Sequence, residues 1–102
     1  MKTSPTELAI EASDIKKAVL LLRAIEHPLR QKILHFMSSK VQVYVTEVHT
    51  EFNVEQSVAS DHLGILRDAK LVRAERRGRF IYYTVNAEGM NRLHRLLDQL
   101  VH

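Results

Sequence analysis

Residues 46–85 read TEVHTEFNVEQSVASDHLGILRDAKLVRAERRGRFIYYTV, and this run decides the fold. Thr46 is a residue type favoured at helix N-caps, so Thr46 to Phe52 is expected to form a short helix closed by a turn at Asn53-Val54. A longer helix is expected from Glu55 to Lys70. It opens on a polar turn of Glu55, Gln56 and Ser57 and carries apolar positions at Val58, Leu63, Ile65, Leu66 and Ala69. Two helices joined by a tight turn make a helix-turn-helix arrangement. Leu71 to Arg76 and Arg79 to Val85 then alternate apolar and polar residues and are rich in β-branched and aromatic side chains, which marks both as strands. Gly78 supplies the backbone freedom that the hairpin turn between them needs.

Working outward, Ser4-Pro5-Thr6-Glu7 offers an N-cap serine, a proline for the first helical position and a glutamate three residues after the cap. Leu8, Ala12, Ile15, Val19 and Leu22 follow at three- and four-residue steps, giving either one long helix over about 5–25 or two shorter ones broken near Ser13-Asp14. Twenty helical residues span roughly 30 Å, more than so small a domain covers by itself, so part of this stripe is expected to face another subunit. His27-Pro28 restarts the chain, and Leu29, Ile33, Leu34, Phe36 and Met37 form the buried face of a helix ending near Ser38-Ser39. Val41, Val43 and Val45 alternate with Gln42 and Tyr44 as a short strand or extended lead-in. At the other end Asn86 is the expected cap of a helix over about 87–101, with Met90, Leu93, Leu97 and Leu100 at heptad spacing and Leu96 alongside. The fold class expected from this pattern is mainly α with a β-hairpin: a winged helix-turn-helix of about five helices and a two-stranded wing, in one domain over residues 1–102.

The composition narrows the chemistry. With no cysteine there is no disulfide framework, thiolate metal site, cysteine nucleophile or thiol sensor. No stretch approaches the ~20 apolar residues of a membrane span and no secretory apolar region is visible near the N-terminus, so a cytoplasmic protein without membrane association is expected. Three glycines and no Gly-rich phosphate loop argue against an enzyme. The net charge of +3 is mild but unevenly spread: residues 67–79 hold six Lys/Arg against two Asp/Glu, while the rest of the chain is slightly acidic. Arg67, Lys70, Arg73, Arg76, Arg77 and Arg79 therefore form a concentrated basic patch beside the helix-turn-helix, the footprint of a phosphate-facing surface.

The run Ala24-Ile25-Glu26-His27-Pro28-Leu29-Arg30-Gln31-Lys32-Ile33-Leu34 resembles the second-helix signature of the bacterial winged-helix regulators of the arsenical-resistance and metallothionein-repressor (ArsR/SmtB) family. Gln56 to Leu63 with Ile65-Leu66, the turn Ala69-Lys70-Leu71-Val72 and the wing Arg76 to Tyr83 are similar to the same family, so the resemblance covers roughly residues 14–101. It implies a sequence-specific transcriptional regulator, a homodimeric repressor bound to double-stranded DNA at an inverted repeat and released by an unidentified signal. Carried over by position, Gln56, Ser57, Ser60, Asp61 and His62 are the recognition-helix polar residues, and Arg67, Arg76, Arg77 and Arg79 take phosphates. The dimer interface implied by the terminal helices comprises Leu8, Ile15, Val19, Leu22, Met90, Leu93, Leu97 and Leu100.

Two features depart from the family. Its cysteine metal site falls on Val45-Thr46-Glu47-Val48-His49, which holds no cysteine, and its C-terminal helix site falls on Asn86, Glu88, Gln99 and His102, where only Glu88 and His102 are ligand types. His94, Asp98 and His102, at i, i+4 and i+8, are the remaining candidates; no metal and no cofactor are expected. Glu55 and Asp61 put acid on a surface expected to meet DNA, and His62 either reads DNA or packs against the preceding helix. The alternative function is a winged-helix protein–protein interaction module with weak or no DNA binding.

Overall fold

Pro28 lacks an amide hydrogen and has a fixed φ, so it ends one helix and opens the next. The computed structural model describes residues 12–101, and in chain order the elements are α1 (Ala12–Glu26), α2 (Pro28–Ser38), β1 (Val43–Tyr44), α3 (Val45–Phe52), α4 (Gln56–Asp68), β2 (Val72–Arg77), β3 (Phe80–Val85) and α5 (Ala87–Val101). The helix start expected at Ser4 to Glu7 lies outside the described residues, as do Leu8 and His102. His27 caps α2 with its ring, Nδ1 accepting from the Leu29 amide at 3.1 Å.

The described residues share one core. Leu21 and Ala24 of α1, Ile33, Leu34 and Met37 of α2, and Val48 of α3 meet Ala59, Leu63 and Leu66 of α4, with Leu71, Val72, Val43 and Tyr83 closing the sheet side. The helices bury their apolar arcs as the three- and four-residue spacing requires. Val58 departs from that reading: it is exposed, and Ala59 takes the core position because Ala59, Leu63 and Leu66 lie on one arc while Val58 lies about 100° away.

Two left-handed residues make the sharp turns. Asn53 (φ 52°) ends α3, with the Val54 amide donating to His49 O at 3.1 Å. Lys70 (φ 65°) ends α4 in a Schellman motif, its amide donating to Arg67 O at 2.9 Å and that of Leu71 to Leu66 O at 3.0 Å. The N-cap expected at Thr46 sits two residues earlier. Helix α3 starts at Val45, and Glu47 Oε1 accepts from the Tyr44 amide at 3.2 Å, leaving Thr46 inside the first turn.

Three strands, not two, form the sheet. Its antiparallel order is β1-β3-β2, with Val43 opposite Tyr83 and Val72 opposite Val85. The valine run before α3 adds to the free edge of β3 and satisfies backbone groups that an isolated hairpin would leave open. Gly78 (φ 63°) is the first of the two loop residues between Arg77 and Phe80, the position a type II′ hairpin reserves for glycine. Asn86 precedes α5 as expected, but its side chain reaches across instead of capping: Nδ2 donates to Lys70 O at 2.9 Å. Beside this bond Gly89 lies so close to the same carbonyl that a Cβ would sit 1.8 Å from its oxygen. The α4–β2 turn and the start of α5 are thereby locked together.

Candidate nucleic-acid interface

Helix α4 presents its polar residues outward because its apolar arc is spent on the core. Gln56, Ser57, Ser60 and Asp61 are all exposed. Gln56, Ser60, Gly64 and Arg67, spaced four, four and three residues apart, form one row along the helix. Gly64 keeps the middle of that row shallow, and Arg67 stands at its far end, its Nη2 3.2 Å from Asp68 Oδ1. The wing lies beside the row: Gln56 and Ser60 share a cleft of about 190 Å³ with Arg79, Phe80 and Ile81. Side chains able to hydrogen-bond base edges and a side chain able to neutralise phosphate thus border the same opening.

The wing arginines are not equivalent. Strand pleating puts Arg77 on the face that carries Glu75, Tyr82 and Phe80, and Arg76 on the opposite face opposite Ile81. Arg77 lies over the Tyr82 ring at 4.6 Å and donates to the Tyr82 hydroxyl at 3.2 Å. That hydroxyl donates in turn to Glu75 Oε2 at 2.5 Å, and this bond, with burial and the Glu75 charge, raises the phenol pKa, Arg77 opposing. Tyr44 packs edge-on to both Phe80 and Tyr82 at 6.1 Å between ring centroids. All three arginines are exposed, but Arg77 is tied by a hydrogen bond and a ring contact to the outer face of the wing, whereas Arg79 at the tip lies over Phe80 at 5.8 Å without such a bond and Arg76 stands on the other face.

His62 belongs to the scaffold. It is partly buried, its ring 4.8 Å from that of His27, and its Nδ1 is 3.1 Å from Arg30 Nη1. Arg30 has only donors, so the imidazole accepts through a neutral Nδ1. Burial, the His27 ring and the Arg30 charge lower the His62 pKa from 6.5, with Asp61 opposing. Of the two readings of His62 open from the sequence, packing describes its place, although the partner is the start of α2 and not the adjoining helix. Arg30 is not among the residues that the sequence singles out. It is 6% exposed, with Nε donating to Ala24 O at 2.9 Å and Nη2 to Arg23 O at 2.8 Å. One guanidinium thus satisfies two carbonyls in the last turn of α1 and holds α4. Its only sequence signal is a cation amid the core positions of α2.

The apolar stripes at the two ends are divided by the structure. Ile15 (50%), Val19 (57%) and Leu22 on α1 are exposed, as is Leu100 (63%) on α5, while Met90 and Leu97 are partly covered. Leu93 is buried in the chain's own core and so is not left on the exposed stripe. His94 and Asp98 lie on α5, and among the described residues no group of three or more His, Cys, Asp or Glu side chains is placed to hold a metal ion. None of the described helices is long and apolar enough to cross a membrane.

A helix-turn-helix domain family model matches residues 25–75, spanning α2 to β2. The arsenical resistance operon repressor of Bacillus subtilis (strain 168) is 32% identical over 79 residues, 78% of this chain and 75% of that protein. The chain belongs to the ArsR/SmtB family of winged-helix regulators. Another relative is the transcriptional repressor SdpR of Bacillus subtilis (strain 168), 33% identical over 66 residues, 65% of this chain and 72% of that one. The fold is that of a homodimeric winged helix-turn-helix DNA-binding domain from Mycobacterium bovis, with a TM-score of 0.73 at 23% identity, covering 99% of this chain and 89% of that one. The family is one of regulators and not of enzymes.

Proposed function

We propose that this ArsR/SmtB-family chain is a cytoplasmic, homodimeric transcriptional repressor that binds an inverted repeat in double-stranded DNA and is released by an unidentified signal. The observation that carries the reading is the shared cleft of Gln56, Ser60 and Arg79, which sets base-reading and phosphate-binding side chains on one surface. Gln56 pairs with an adenine edge, Ser57 and Ser60 contact bases or phosphates, and Asp61 accepts from a cytosine amine or orients its neighbours. Arg67, Arg76 and Arg79 neutralise phosphates, and Arg77 supports the wing that carries them. The exposed apolar residues of α1 and α5 meet their counterparts across a two-fold axis, in keeping with the homodimeric state of the Mycobacterium bovis domain. No resident metal or cofactor is invoked.

Selection of bound duplexes from a random pool tests the reading. The expected product is a palindrome whose half-sites lie about one helical turn, roughly 10 base pairs, apart. Enrichment of a non-palindromic site, or none, overturns the dimeric repressor. Exposed Asp61 and Glu55 favour a second reading, a protein–protein interaction module. A salt series on random duplex separates the two, since a DNA-binding dimer loses affinity steeply as salt rises and an interaction module binds little even at low salt.

A further inference from the structure

Between α1, the end of α4 and α5 runs a groove that the DNA-binding surface does not use. A cavity of about 270 Å³ has an apolar floor of Leu20, Leu21 and Ala69, and Lys17, Lys70 and Arg92 converge on it from three different segments. A second cavity of about 250 Å³ shares Lys17, Leu21 and Arg92 with the first and adds Arg95 and Leu96, so the two form one trough along α1 and α5. We propose that this trough binds a small organic monoanion with an apolar body, such as an aromatic or short aliphatic carboxylate.

Charge and shape both select that class. Four cations border the trough against two carboxylates, Asp14 and Asp68. Asp68 is engaged by Arg67 at 3.2 Å, and a further acid nearby, Glu88, meets Arg92 at 3.3 Å from the exposed side. The apolar floor excludes a bare inorganic anion as the best fit, because such an ion leaves Leu20 and Leu21 uncovered. The turn hydrogen bonds at Lys70 fix the backbone from which its side chain enters the trough.

The part of the trough floored by Leu20, Leu21 and Ala69 lies clear of the apolar stripe of the proposed dimer. At 100° per residue the exposed stripe Ile15, Val19 and Leu22 and the trough residues Lys17, Leu20 and Leu21 occupy arcs of α1 centred well over 90° apart. On α5, Arg92 and Arg95 lie about 140° or more from Met90 and Leu97, while Leu96, one turn before Leu100, borders the seam. A ligand there touches both dimerising helices and the residue that terminates the recognition helix. That placement makes it a candidate for the releasing signal, a role that rests on the repressor reading, whereas binding itself does not.

The test titrates the ¹⁵N-labelled full chain, without DNA, with 2-naphthoate and with its neutral isostere 2-naphthamide. Saturable amide shifts centred on Lys17, Leu21, Ala69, Lys70 and Arg92 are expected for naphthoate. Affinity should fall about tenfold for the amide, and about tenfold for naphthoate in the Lys17→Gln/Arg92→Gln double variant, whose remaining spectrum superposes on the parent's and reports its fold. Equal binding of the amide, undiminished affinity in the variant, or no saturable shift overturns the site. Fluorescence anisotropy of a random duplex with the ligand-free chain at low salt is the separate arm. Failure to bind duplex overturns the repressor reading and leaves a positive naphthoate result standing; duplex binding without groove shifts overturns the anion site alone.

Discussion

At the scale of single residues the pair Arg30–His62 carries the most consequence. Its geometry requires a neutral imidazole, and the lowered His62 pKa comes from burial and from the neighbouring His27 and Arg30. The folded state therefore disfavours the protonated ring. The contribution is full above the ordinary value of 6.5 and is lost as pH falls through the lower folded value. Urea unfolding at about pH 8 and about pH 5 is expected to show lower stability in acid, and a smaller difference between the two in His62→Asn, which keeps an acceptor for Arg30 but does not titrate. An unchanged pH difference in that variant counts against His62 as the source. Arg30→Met removes three hydrogen bonds, one buried and two partly buried, and leaves the Ala24 and Arg23 carbonyls short of donors, so a loss of about 3 kcal/mol in urea melts is expected. Arg30→Lys should recover little of it, since one ammonium cannot span all three acceptors.

At the scale of elements, two joints fix how the recognition helix sits against α5 and the wing. Gly89 is one: Gly89→Ala places a methyl against the Lys70 carbonyl, and α5 must shift or the Asn86–Lys70 bond must break. Overpacking of this kind costs about 2 kcal/mol, readable as a lower thermal midpoint. The wing is the other. Arg76→Ala and Arg79→Ala should each reduce the salt slope of duplex binding by about one, the signature of one lost phosphate contact. Arg77→Ala should change the slope less, because that guanidinium is engaged with Tyr82, and its effect should appear as a less stable wing. Equal slopes for all three variants would contradict the division of roles within the hairpin.

For the whole molecule the question is what covers the ends. A radius of gyration of 15.9 Å exceeds the roughly 13 Å of a compact chain of this length, and extents of 54 × 27 × 22 Å show an elongated protomer. Ile15, Val19 and Leu100 lie exposed on its terminal helices. Sedimentation equilibrium is expected to give about twice the chain mass of 11.8 kDa, and Val19→Asp to shift the population to monomer and weaken DNA binding together. A parent that sediments as a monomer at micromolar concentration refutes the proposed interface.

The order and type of the helices from Ala12 onward and the wing hairpin could be read along the chain, because period, caps and turn glycine are local properties. Gln56, Ser57, Ser60 and Asp61, which the family resemblance implies as recognition residues, are exposed because the buried arc of α4 lies on its other side. Where two distant segments meet, spacing is silent. The third strand required the edge of β3 to be within reach of Val43-Tyr44, and Leu93 sits in the core, not on the apolar seam, where it meets residues far away in the chain. His62 meets α2, where its Nδ1 is 3.1 Å from Nη1 of Arg30, thirty-two residues earlier. The helix-turn-helix and its basic wing follow from the order of residues, since each depends on neighbours within a few positions. Which of its polar groups remain for a ligand follows from the folded chain, since burial and long-range hydrogen bonds claim the others first.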